Sequence, residues 1–126
     1  MDDSPRGTLT LARTAAEALR SLNHLTRGED GLGQPADAYG LIGELSLAAS
    51  RLPQLLAQVS GWLDRSLDGG RLGTDDGTDP AGAVGAAWTF LSDACGSAAA
   101  LARDLSEAQQ QLSAVNGEPS RKEPRS

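Results

Sequence analysis

Aromatic rings are scarce in this chain of 126 residues, which has Tyr39, Trp62, Trp88 and Phe90 and no others. Ala, Leu and Gly dominate instead, so any core is built from small or unbranched side chains that favour closely packed helices over a sheet. Cysteine is scarcer still: Cys95 stands alone, which excludes an intramolecular disulfide. No run approaches the roughly 20 consecutive apolar residues that a membrane span requires, so no membrane partner is expected. Basic residues are outnumbered, and a net charge of −6 repels nucleic acid and anionic lipid at long range, leaving only a local basic face as a means of binding them. The opening stretch MDDSPRGTLTLARTAAEALR lacks a basic segment followed by an apolar one, so no export signal is expected and the cytoplasm is the expected location.

What is present is helical periodicity, in three blocks. The length fits one domain with a modest core. In the first block, about residues 8–27, Leu11, Ala12, Ala15, Ala18, Leu19, Leu22 and Leu25 share one face. Thr8 or Thr10 can cap its start, residues 1–7 are expected to be a flexible terminus, and Gly28 stands where a helix often exits through a left-handed residue. The second block, 35–67, has a seam of Ala38, Ile42, Leu45, Ala49, Leu52, Leu56, Val59 and Leu63, widened by Leu41, Ala48, Leu55 and Trp62. That phase passes straight through Pro53. A helix starting at Pro53 would have Leu52 as its cap, and leucine offers no acceptor for the free amides, so the phase favours one helix kinked at Pro53 over two. The proline removes the bond to the Ala49 carbonyl at a cost of about 3 kcal/mol, which burial of the seam must offset.

The stretch DGGRLGTDDGTDP, residues 68–80, is rich in turn formers and ends in Asp79–Pro80, a carboxylate cap followed by a residue whose missing amide is no loss in a first turn. The third block, 80–116, carries Val84, Ala87, Leu91, Ala94, Ala98, Leu101, Leu105, Ala108, Leu112 and Val115 in strict three-four alternation. Residues 117–126 read as a disordered tail. At 1.5 Å per residue the second and third helices are about 50 Å long and the first about 30 Å. The expected architecture is therefore all-α: a long antiparallel helical hairpin with a shorter N-terminal helix, in one domain over 8–116, forming a three-helix bundle or, with another copy, a dimeric bundle.

The residues that could carry chemistry have simpler structural explanations. Asp68, Asp75, Asp76 and Asp79 crowd one loop, but their spacing fits no EF-hand, and cap and turn roles account for them; no metal is expected. His24 is the only histidine, has no second ligand nearby, and suits the negative end of its helix. Cys95 follows Ala94 at the edge of the third seam, where a thiol serves as a small apolar filler. GGRLG, GLG and GAVGAAW match neither a P-loop nor a dinucleotide fingerprint, so no cofactor is expected. Gly82, Gly85 and Gly96, with Gly40 and Gly43, are expected to let backbones approach closely. Arg6, Arg13, Arg20 and Arg27 repeat every seven residues, and Arg13, Arg20 and Arg27 form a candidate charged contact face. Glu17 lies within pairing distance of both Arg13 and Arg20 along the helix, so intrahelical pairing explains part of that stripe.

At SLNHLTRGEDG, QPADAYGLIGELSLAASRLPQLL and DDGTDPAGAV the chain resembles a group of small uncharacterised helical proteins of actinomycetes, some associated with plasmids and integrated elements. The resemblance covers about residues 16–90 and implies a helical fold and a bacterial cytosol, with no activity attached. The functional expectation is a non-enzymatic interaction or assembly module that presents an apolar seam to itself, as a homodimer, or to another protein. Leu101, Leu105 and Leu112 are the candidate interface. The second reading is a nucleic-acid-associated accessory factor using the arginine stripe. A third, an enzyme with residues shared across subunits, has only the Asp-rich loop and His24 in its favour.

Overall fold

A computed structural model describes residues 3–117. The described residues are 77% helical and contain no strand, as an all-α fold requires. Helix α1 spans Pro5–Arg27, α2 spans Pro35–Asp68 and α3 spans Ala81–Gln111. Among the described residues the chain forms two compact units, residues 3–38 with 116–117, and Tyr39–Val115.

In the first unit, α1 begins earlier than its apolar periodicity suggests. Ser4 is the cap: its Oγ accepts from the Gly7 amide at 3.2 Å, and Pro5 occupies the first turn, where it needs no amide. The expected caps Thr8 and Thr10 lie inside the helix, and Pro5–Gly7 belong to it rather than to a flexible terminus. The Ser-Pro pair is the same signal that Asp79–Pro80 gives further along. Gly28 ends α1 with φ −87° and ψ 165°, an extended exit rather than a left-handed one. The next loop glycine explains why the chain turns there: a Cβ at Gly31 would collide with the Leu25 carbonyl, so the loop runs tightly over the end of α1. Asp37, in the first turn of α2, accepts from both the Gly33 and Gln34 amides at 2.9 Å, satisfying donors just before the helix.

The second unit is a helical hairpin. α2 runs unbroken through Pro53, with no nonhelical connector between Ser50 and Leu55, so the sequence phase identified one helix correctly. Its C-terminus closes in a Schellman arrangement. The Arg71 amide bonds the Ser66 carbonyl at 2.9 Å, the Gly70 amide bonds the Leu67 carbonyl at 3.0 Å, and Gly70 takes φ +70°. Ser66 is fully buried there, its Oγ accepting from Arg71 Nη2 at 3.4 Å. Asp76 then organises the loop, taking bonds at its Oδ1 from Thr74 Oγ1 at 2.9 Å, Thr78 N at 3.1 Å and Thr78 Oγ1 at 2.8 Å. Asp79 accepts from the Ala81 amide at 2.9 Å, but the cap position falls one residue later than expected, on Pro80, which has no side-chain acceptor, and the helix opens at Ala81. α3 stops at Gln111, short of the expected 116, because the Leu112 and Ser113 amides turn back onto the last carbonyls. Of the expected disordered tail 117–126, residues 118–126 lie outside the described residues.

α2 and α3 pack against each other. Three hydrogen bonds set their register: Gln109 Nε2 to the Tyr39 carbonyl at 3.3 Å, Ser46 Oγ to the Ala102 carbonyl at 3.0 Å, and Cys95 Sγ to the Pro53 carbonyl at 3.5 Å. The partners advance by seven residues along α2 while retreating by seven along α3, which defines an antiparallel pair in strict heptad register. The centre of the contact carries Ile42, Ala49, Leu56 and Leu63 on α2, and Val84, Leu91, Ala98 and Leu105 on α3. Ala49, Ala98 and Val84 are its buried apolar residues. Beside them, on the side of the three bonds, lie Ser46, Pro53 and Ser60 of α2 with Cys95, Ala102 and Gln109 of α3.

This corrects the expected seam by one residue. Leu52 and Val59 are 39% and 41% exposed, while Pro53 and Ser60 turn inward in their place; on α3, Leu101 is 49% exposed and Ala102 turns inward. Small side chains at the contact let the helices approach, and a hydroxyl or thiol there is satisfied by a carbonyl across the interface, so polarity at Ser46 or Cys95 costs little. The expected close-approach glycines need a further correction. A Cβ at Gly40, Gly82, Gly85 or Gly96 would meet nothing within 4 Å, and only Gly43 is approached, by the Gln109 side chain.

Candidate functional site

The register fixes which side of the hairpin is open. Tyr39, Ser46 and Pro53 meet Gln109, Ala102 and Cys95 on one side, so the residues one position earlier turn to the other: Leu45, Leu52 and Val59 on α2, and Ala94 and Leu101 on α3. Three residues further along α2 from Leu45, Leu52 and Val59 stand Ala48, Leu55 and Trp62, which extend the same side outward. Phe90 continues it on α3 and is 73% exposed. Leu52, Leu55, Val59 and Trp62 thus form an exposed stripe at steps of three and four, next to Leu101. Of the residues counted as seam in the sequence, Leu52, Val59 and Leu101 line an open flank, while Ile42, Ala49, Leu56 and Leu63 with Val84, Leu91, Ala98 and Leu105 keep the contact between the helices.

The opposite side of the hairpin is more polar. A shallow groove of about 260 Å³ there is lined by Ala57, Ser60, Gly61, Asp64, Trp88, Ser92 and Cys95. Cys95 is a half-buried free thiol whose Sγ faces the Pro53 carbonyl, in keeping with its expected role as a filler.

The candidate residues divide. Leu101 lies on the open flank, whereas Leu105 and Leu112 are half-buried and follow Val84, Leu91 and Ala98 at steps of seven, on the line that faces α2. The candidate interface therefore keeps Leu101 and exchanges Leu105 and Leu112 for Leu52, Leu55, Val59 and Trp62. On α1, Arg13, Arg20 and Arg27 are all exposed, as expected of an outer face. Glu17 pairs with Arg20 at 3.4 Å, both side chains remaining largely in solvent. Arg13 takes no acidic partner among the described residues. Arg27 Nη2 lies 3.2 Å from His24 Nδ1, which ties the only histidine to the end of its own helix.

In the loop, hydrogen bonds from the Thr78 side chain, the Thr78 amide and the Thr74 side chain hold the Asp76 carboxyl below the usual aspartate range. Its acceptor oxygen is committed to the turn, and among the described residues no group of three or more His, Cys, Asp or Glu side chains converges as a metal site would require. Sequence reasoning did not single out Asp37, Ser46 or Ser60. Asp37 stands two residues after Pro35 and four after Gly33, a legible start signal, but the inward turn of the serines is visible only through the register. Comparison with known protein families, with curated proteins and with solved structures finds no match.

Proposed function

We propose that the protein is a non-enzymatic interaction or assembly module acting in the cytoplasm, and that it binds through the open apolar flank of the α2–α3 hairpin. The observation that carries this reading is the continuous exposed stripe of Leu52, Leu55, Val59 and Trp62 beside Leu101. Side chains of this size contribute about 1.5–3 kcal/mol each when taken wholly from water into an apolar contact, so covering the half-exposed stripe supplies a large part of a specific binding energy. Contiguous apolar patches on a helical surface mark interaction sites. The arginine stripe supports the nucleic-acid reading less well. Arg20 is engaged by Glu17, Arg27 by His24, and few cations contribute only a weak phosphate-binding term.

A photo-crosslinking amino acid at Val59 of the full chain, expressed in its host, tests the reading. An adduct to protein is expected from Val59 and none from the same group at Ala99, on the outer side of α3. Absence of any adduct at Val59 rejects the flank as a binding surface.

A further inference from the structure

We infer that the polar groove of the hairpin, on the side opposite the apolar flank, binds a primary ammonium group carried on a short alkyl chain, held by Ser60, Asp64, Ser92 and the Trp88 ring. Two other serines of α2 that turn inward are satisfied: Ser46 donates to the Ala102 carbonyl, and the buried Ser66 accepts from Arg71. Ser60 is the exception. It is nine-tenths buried, lines the groove, and among the described residues its hydroxyl takes no hydrogen-bond partner. A hidden hydroxyl without a partner costs the fold stability, which a ligand in the groove would recover.

The remaining lining fits a cation. Asp64 lies four residues after Ser60, one turn along the same face of α2, and is in no ion pair among the described residues. Across the groove Trp88 and Ser92 stand one turn apart on α3; the indole is 48% exposed, and the Ser92 hydroxyl is unpartnered among the described residues. A carboxylate and two hydroxyls offer three acceptor groups to the three N–H of an ammonium, which itself accepts nothing. An indole ring attracts a cation over its face and covers the methylenes that carry it. Ala57 and Gly61 have too little side chain to fill the groove, which leaves room for those methylenes. At about 260 Å³ the groove is below the roughly 300 Å³ at which drug-sized ligands are enclosed, so it suits a short alkylammonium and not a nucleotide. The net charge of −6 draws cations to the chain. Arg65 opposes them: its guanidinium folds back to 3.1 Å from where a Cβ would stand on Gly61, at the edge of the groove, but the side chain is exposed and free to swing into solvent.

Nuclear magnetic resonance of the full chain, titrated with n-butylammonium chloride at constant ionic strength, should show saturable shifts at the Trp88 indole N–H and at the Ser60 and Gly61 amides, with none that saturate from n-butanol. Asp64→Asn should weaken binding several-fold. Ser60→Ala should weaken it too, while leaving the urea unfolding midpoint unchanged or higher, because the hydroxyl has no internal bond to lose. Arg65→Gln should tighten binding by removing the opposing charge. Tighter binding of Nα-acetyl-lysine amide than of n-butylammonium assigns the ammonium to a lysine of another protein, and equal or weaker binding assigns it to a free amine. Absence of saturable shifts, or n-butanol binding as well as n-butylammonium, overturns the inference. So does an Asp64→Asn chain that binds like the wild type. Weaker binding by Arg65→Gln means an anionic or zwitterionic ligand and overturns it as well. A Ser60→Ala chain that unfolds more easily shows the hydroxyl to be bonded within the fold and removes the ground of the inference.

Discussion

Glycine at an interior helical position costs roughly 0.5–1 kcal/mol relative to alanine unless space or backbone conformation requires it. At Gly40, Gly85 and Gly96 neither does, so replacing each by Ala should raise unfolding free energy in urea by about that amount, with the three effects close to additive. Gly70 is the counter-case. Its φ of +70° closes the end of α2, and Gly70→Ala should lower stability by about 1 kcal/mol in the same assay. Asp76 makes a residue-scale prediction in pH. Its folded pKa lies below the ordinary aspartate value because Thr78 and Thr74 donate to its ionised form. Its contribution to loop stability is therefore fully present above the unfolded aspartate value, about 3.9, and is lost as pH falls through the lower folded value. A carboxyl NMR titration should show Asp76 protonating below the ordinary aspartate value, and Thr78→Val should move its midpoint upward.

Elements are where the sequence speaks most clearly, and where its limits have a physical cause. Each of the three helices is legible from its apolar spacing, and continuity through Pro53 follows from a phase that never slips. What the spacing cannot distinguish is the centre of a contact from its shoulder. Val59 and Ser60 are equally compatible with a heptad repeat, and hydrophobicity alone chooses the valine. The structure turns Pro53 and Ser60 inward on the line of Ser46, whose hydroxyl, like the Cys95 thiol opposite, is satisfied by a carbonyl across the pair. The start of α1 escaped for a similar reason: periodicity locates the apolar face, but Ser4 caps the helix five residues before its first leucine, Leu9. On α1 itself, Arg13, Arg20 and Arg27 are exposed with a single weak ion pair among them. Changing all three to Gln should shift unfolding free energy by less than about 1 kcal/mol. Any retention on DNA at low salt that survives the change would exclude the stripe as its cause.

For the whole molecule, Leu101 and Leu105 are four residues apart and should respond oppositely to the same substitution. Leu105→Glu puts a carboxylate towards α2 and should destabilise the hairpin itself by about 3 kcal/mol, visible as lost helicity on mild heating. Leu101→Glu leaves that packing intact and should act on association instead. The three cross-helix bonds have one more implication, for how the hairpin comes together. They join residues 42, 56 and 70 apart in sequence, so the cost of closing each successive one over the last is small, well under the roughly 0.6 kcal/mol of a doubled loop. Nearly all the entropy of closure falls on the first contacts beyond the Asp76 turn. The hairpin should zip from that turn outward and fray in reverse, its amides exchanging with solvent fastest around Tyr39 and Gln109 and slowest around Ser60 and Ala87.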